Sequence, residues 1–196
     1  MKKWMPVLFL IGASGLFARE QTLISGDIQH GGFGGPVVKF GNVLDECGVF
    51  VGGRGGWIIN HQFVLGGGGY GLVNEIASRR DADLFYSFGY GGLEIEYIAA
   101  SDRLVHLTFQ ALIGAGGVRL YEKINGTRFD DETNTVETDA IFVAEPGVNV
   151  ELNVTPFFRI GFGAHYRFVS ELDMPGLKAG DLSGLSAAIT LKFGKF

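Results

Sequence analysis

One cysteine, Cys47, stands in 196 residues, so no intrachain disulfide can form. Basic residues are in short supply, with 16 Lys plus Arg against 21 Asp plus Glu. That balance argues against a nucleic-acid partner, since a phosphate backbone selects a basic face. Beyond residue 18 no apolar run reaches the roughly 20 residues a membrane-spanning helix needs. Histidines are scattered, at His30, His61, His106 and His165, and no dense His and carboxylate cluster marks a metal site. No cofactor is expected either. What abounds is glycine, 32 residues in a chain that is also 13% aromatic. That aromatic content excludes a Gly-rich disordered chain.

Residues 1–18 read as a secretory signal peptide: Lys2 and Lys3, then an apolar run closed by small residues. Cleavage after Gly15 fits a small-x-small pattern at Ala13-Ser14-Gly15, whereas cleavage after Ala18 leaves Leu16 at the third-last position. No Cys follows the run, so no lipoprotein anchor is expected. Loss of Lys2 and Lys3 lowers Lys plus Arg from 16 to 14 against 21 acidic residues, a mature charge of −7. Residues 19–32 are polar and patternless, a periplasmic lead-in, and the domain proper is 33–196.

The rest of the chain alternates. From Asp139 to Val169 the even positions are apolar: Phe142, Val148 and Val150, then Phe158, Ile160, Phe162, Tyr166 and Phe168. The odd positions carry Glu145, Asn149, Glu151, Arg159, His165 and Arg167. Period two places these sets on opposite faces of a hairpin joined at Thr155-Pro156. The same alternation predicts strands over 33–43, 47–59, 63–74, 84–99, 104–120 and 184–196, making eight. Lys39, Arg54, Glu94 and Glu96 fall on polar faces. In the fourth strand, Tyr86, Phe88 and Tyr90 and then Leu93, Ile95 and Tyr97 are read as one apolar face, with a β-bulge at Gly91-Gly92. Connections at Asn60-His61, 100–103 and Thr155-Pro156 are short. Three of the other four are long and polar, Leu44 to Glu46 being the exception.

Eight alternating strands, turns at one end and loops at the other, behind a signal peptide and ending on Phe196, resemble the small Gram-negative outer-membrane β-barrels, the class of the OmpA barrel domain and the OmpX and OmpW types. The resemblance is architectural. It implies an all-β, eight-stranded antiparallel up-and-down transmembrane barrel, embedded in outer-membrane lipid and lipopolysaccharide. It also implies assembly by the barrel-assembly machinery, for which Phe196 serves as a signal. Phe193, Leu191 and Ile189 are out of phase with Phe196, so a bulge near Gly194 is required.

In that arrangement Phe142, Val148, Val150, Phe158, Ile160, Phe162, Tyr166 and Phe168 face lipid. Lys39, Arg54, Glu94, Glu96, Glu145, Glu151, Arg159 and Arg167 face the lumen. An eight-stranded barrel is only wide enough for its side chains to fill, and buried charges must pair. The expectation is a monomer with a charge-paired, largely filled lumen and a structural or surface-interaction role. A narrow porin-like channel is the alternative. A soluble lipocalin-like barrel is the second, opposed by aromatics near strand ends, among them Tyr86, Tyr97, Phe158, Tyr166 and Phe168, read as interfacial girdles. Catalysis is not expected: His106 with Thr108 and His165 with Tyr166 are the only near pairs, while Ser87 and Ser170 have no His close in sequence. The acidic connection with Asp130, Asp131, Glu132, Glu137 and Asp139 is read as a solvated loop rather than a divalent-cation site. Cys47 is read as a free thiol near the outer rim.

Overall fold

The computed structural model describes residues 28–81, 83–122 and 135–196. The expected signal peptide, and Asp130, Asp131 and Glu132 of the acidic connection, lie outside them. The strands are β1 (His30–Val43), β2 (Glu46–Ile59), β3 (Phe63–Leu72), a two-residue β4 (Ile76–Ala77), β5 (Leu84–Ala99), β6 (Val105–Glu122), β7 (Thr135–Asn153), β8 (Phe158–Val169) and β9 (Gly184–Lys195), with a single helical turn α1 (Ala179–Leu182) before the last. Strand β1 therefore begins three residues before residue 33, and β7 begins at Thr135, so Glu137 and Asp139 are strand residues.

The eight long strands pair antiparallel with their sequence neighbours, β1 closes on β9, and β3 pairs with β5 from Phe63↔Tyr97 to Gly71↔Gly89. Closure leaves no free sheet edge among the long strands. The turn end of the barrel carries the β2–β3, β5–β6 and β7–β8 connections. The loop end carries the others. Two turns have both central residues at positive φ: Asn60 and His61, and Leu44 and Asp45, as two-residue hairpins of right-handed strands require. A left-handed Leu costs about 1–2 kcal/mol. At Leu44 this is offset by burial of the side chain under the loops and by its N–H donating to the Asp181 carbonyl at 2.8 Å.

Alternation divides the wall cleanly. Phe40, Trp57, Leu93, Ile95, Phe109, Ile113, Phe142, Phe162, Phe168 and Leu185 project outward and exposed, while Lys39, Glu94, Glu96, Glu145, Glu151 and Lys192 point into the barrel. The barrel is inside-out relative to a soluble one, as a transmembrane barrel must be. Phe162 lies in mid-strand on the outer wall, 54% exposed. Phe162→Lys should cost about 2–4 kcal/mol in a bilayer, measured by urea unfolding in lipid vesicles beside Phe162→Leu. Equal stability of the two variants would contradict a lipid-facing position.

Three expectations are corrected. Strand β5 has no bulge at Gly91-Gly92: its register with β6 runs unbroken from Leu84↔Glu122 to Ala99↔Leu107. Tyr86, Phe88 and Tyr90 therefore share parity with Glu94 and Glu96 and lie inside, so Tyr86 belongs to no interfacial girdle. Nor does β9 bulge near Gly194: its register with β1 keeps Phe33↔Gly194 and Val37↔Thr190 in step. Phe193 stays outside and Phe196 turns inside, stacking on Phe33 at 6.3 Å. Third, the polar inner face covers only part of the interior. Near the loop end Phe50, Tyr86, Phe88, Leu112, Leu120, Ile141 and Val143 form an apolar core with Leu44, Ile76, Met174, Leu177 and Leu182 from the connections. At the turn end Phe33, Ile58, Val64 and Ile98 make a smaller one against Phe196.

Candidate functional site in the barrel interior

The charged layer lies between these two apolar zones. It is built by inward side chains from all eight long strands, each delivered to the axis by the pleat. Arg54 on β2 is its first hub. Its Nε donates to Glu94 at 2.6 Å, Nη1 donates to Gln110 Oε1 at 2.8 Å, and Nη2 lies 2.8 Å from Glu96. Lys192 on β9 joins Glu96, at 2.7 Å, to Glu151. His106 Nε2 stands 3.5 Å from the far oxygen of Glu151.

The second hub is Glu145 on β7. It pairs with Lys39, accepts the Tyr90 hydroxyl and faces His165 Nδ1 at 3.5 Å. The hubs are connected twice. The His165 ring bonds Asn149 Oδ1 at 2.9 Å, and Asn149 Nδ2 donates to Thr108 at 3.1 Å and towards Gln110 at 3.4 Å. Tyr70 donates its hydroxyl to Glu94 at 2.6 Å while its ring lies 3.5 Å beneath the Lys39 ammonium. Burial of ionised groups is expensive, and pairing of opposite charges is what makes this density of charge tolerable; Gln110 Nε2 and His165 Nδ1 are among the buried atoms left without a hydrogen-bond partner. Inner-face glycines supply the room. A Cβ at Gly68 would run into Glu94, one at Gly147 into His165 and one at Gly163 into Asn149.

Of the eight expected lumen residues, six meet in this network: Lys39, Arg54, Glu94, Glu96, Glu145 and Glu151. Arg159 and Arg167 do not join it. Arg159 sits at the turn-end mouth with its guanidinium 4.0 Å from the Phe196 ring. Arg167 is fully buried near the loop end. It donates to the Leu182 and Asn42 carbonyls at 2.7 and 3.1 Å and lies over Phe50 at 4.6 Å and Phe88 at 5.0 Å. Among the described residues neither has a carboxylate within ion-pairing distance. Backbone carbonyls and ring faces take the place of the counter-charge that the sequence pattern suggested. The tyrosines Tyr70 and Tyr90 were missed as network members. The signal was the unbroken parity of Tyr86, Phe88, Tyr90, Gly92, Glu94 and Glu96.

All eight residues expected to meet lipid, Phe142, Val148, Val150, Phe158, Ile160, Phe162, Tyr166 and Phe168, lie on the outer wall, with Phe158 and Ile160 the least exposed. His106 has Glu151 at 3.5 Å and the Arg103 carbonyl at 3.2 Å, and His165 has Glu145 at 3.5 Å and Asn149 at 2.9 Å, with no hydroxyl bonded to either ring among the described residues. Glu137 accepts from Arg80 at 3.0 Å, and Asp139 accepts the Ala140 and Asp173 N–H groups. These two acids are thus tied into the rim rather than free in a loop. Cys47 is a free, exposed thiol at the start of β2.

Over the loop end the connections are fastened to one another. Arg79 spans Asp45, at 2.5 Å, and Asp181, at 3.0 Å. Arg80 reaches Glu137 and the Pro175 carbonyl, both at 3.0 Å. The apolar core of Met174, Leu177 and Leu182 lies beneath these pairs.

No protein-family model and no curated protein matches this chain. Solved structures do. The chain is similar to Neisserial surface protein A, with 15% identity and a TM-score of 0.51 over 87% of this chain and 100% of that one. It is also similar to the N-terminal β-barrel domain of Pseudomonas aeruginosa OprF, at 10% identity and a TM-score of 0.51 over 83% of this chain and 96% of that one. The attachment invasion locus protein of Yersinia pestis, Ail, aligns with a TM-score of 0.49 at 13% identity, over 84% of this chain and 97% of that one. The fold is that of the small eight-stranded outer-membrane barrels.

Proposed function

We propose that this protein is a sealed outer-membrane barrel that acts through its surface, as a structural or surface-interaction protein, and neither conducts solutes nor catalyses a reaction. The observation that carries this reading is the filled interior: a paired charge layer enclosed between two apolar zones, with the loop end fastened by Arg79 and Arg80. On this reading the first 18 residues direct export and are removed, the loop end faces outside the cell, and the mature barrel is a monomer in lipid and lipopolysaccharide. Assembly machinery reads the last strand and Phe196.

The test is conductance. Refolded protein in planar lipid bilayers is expected to give no sustained single-channel steps at neutral pH. Stable, long-lived openings would overturn the sealed reading and favour the narrow channel. Heat-modifiable gel migration and recovery in the outer-membrane fraction test the location separately. Recovery as a soluble periplasmic species would overturn it.

A further inference from the structure

The outer wall of the barrel carries a feature that a uniformly lipid-coated surface does not need. Near the loop end a groove of about 300 Å³ opens on the outside, lined by Val51, Gly71, Val73, Ser87, Arg119 and Tyr121. Ser87 and Arg119 are cross-strand partners on β5 and β6, and both project outward. Among the described residues no carboxylate lies within ion-pairing distance of Arg119. Its guanidinium stands 5.8 Å from the Tyr121 ring. Tyr121 is only 5% exposed and lines the groove beside Arg119.

Directly below this polar group the wall loses its side chains. Along the register, Gly71, Gly89 and Gly117 form one outward row on β3, β5 and β6. Gly53, Gly69, Gly91 and Ala115 form the next, on β2, β3, β5 and β6. Four strands at roughly 4.8 Å spacing make a bare track on the order of 14 Å across, wide enough for more than one hydrocarbon chain. Leu65 and Leu93 rise beyond it, both exposed.

Packing does not demand most of these glycines. A Cβ at Gly71 would meet nothing within 4 Å, and at Gly69, Gly117 and Gly89 the nearest atoms would lie at 4.0, 3.6 and 3.4 Å. The inward glycines are different: at Gly52, Gly66, Gly92 and Gly114 a Cβ would collide with a backbone carbonyl of the adjacent strand. Glycine in a strand also costs stability. Where no neighbour requires it, what it provides is the empty track.

We propose that this groove is a binding site for the phosphorylated glycolipid of the outer leaflet. A phosphate sits on Arg119, with the Ser87 hydroxyl donating to its oxygens, and acyl chains lie in the glycine track. The site rests on the loop end facing outward, since only there does the rim meet that leaflet.

Native mass spectrometry of the full barrel in detergent tests it, with bisphosphorylated lipid A, dephosphorylated lipid A and phosphatidylglycerol as probes. One tight adduct is expected with bisphosphorylated lipid A. Arg119→Gln should weaken it about tenfold or more, the value of one charge-assisted contact. Gly71→Leu, which fills the track without a backbone collision, should weaken it comparably while leaving Arg119 in place. Both variants should keep heat-modifiable migration. Unchanged affinity in both variants, or equal binding of dephosphorylated lipid A, would overturn the site. Preference for phosphatidylglycerol would overturn the glycolipid assignment. The outcome is separable from conductance: a non-conducting barrel whose lipid adduct ignores both substitutions loses this site and keeps the sealed interior.

Discussion

Glu145→Ala should destabilise the barrel by about 3–5 kcal/mol, the usual consequence of removing one partner from a buried ion pair. Glu145 is 0% exposed, and its carboxylate takes Lys39, the Tyr90 hydroxyl and the His165 ring together. Without it Lys39 remains buried, with the Tyr70 ring face as its nearest support. Urea unfolding in lipid vesicles measures the loss. Lys39→Met with Glu145→Leu should recover most of it, because two apolar side chains leave no unpaired charge behind. The double-mutant cycle then isolates the coupling. A single-variant cost below about 1 kcal/mol would mean that water reaches Lys39, and the filled interior would be wrong at that level.

Arg167→Met should act locally. The Arg167 guanidinium ties the end of α1 and the end of β1 to the barrel through the Leu182 and Asn42 carbonyls. Hydrogen bonds from a charged donor contribute about 1.5–3 kcal/mol each. Losing both should free the segment 176–183, so its amide hydrogen-exchange protection should fall by well over tenfold. The β7–β8 ladder from Gly147↔His165 to Asn153↔Arg159 should keep its protection. Met fills much of the same volume over Phe50 and Phe88, so global stability should change less than protection of the cap. Equal protection of segment 176–183 in both proteins would remove Arg167 as its fastening.

Most of the wall was readable from period-two alternation, because lipid on one side and a narrow lumen on the other impose opposite chemistry on adjacent residues. It failed where both faces are apolar. In β5 the inward Tyr86, Phe88 and Tyr90 look like membrane residues, while the outward Ser87, Gly89 and Gly91 look like lumen residues. Side-chain character then calls for a bulge, although parity alone runs unbroken to Glu94. The same ambiguity hid the apolar core near the loop end, whose Met174, Leu177 and Leu182 come from a stretch with no strand period. Six network charges were recognisable as inward and ionic. The counter-partners of Arg159 and Arg167 were not, because a ring face and a backbone carbonyl leave no mark in a pattern of charged letters.

The bonds of Arg79 and Arg80 have a consequence for how the molecule presents itself to other molecules. Asp45, Arg79, Arg80, Glu137, Pro175 and Asp181 come from four parts of the chain yet lie in one fastened patch. A binder that covers this patch reads an assembled epitope, whose pieces are held in mutual register only while the barrel is closed. Peptides copied from a single connection would lack that register, and a substitution at either arginine would alter recognition contributed by connections far from it in sequence.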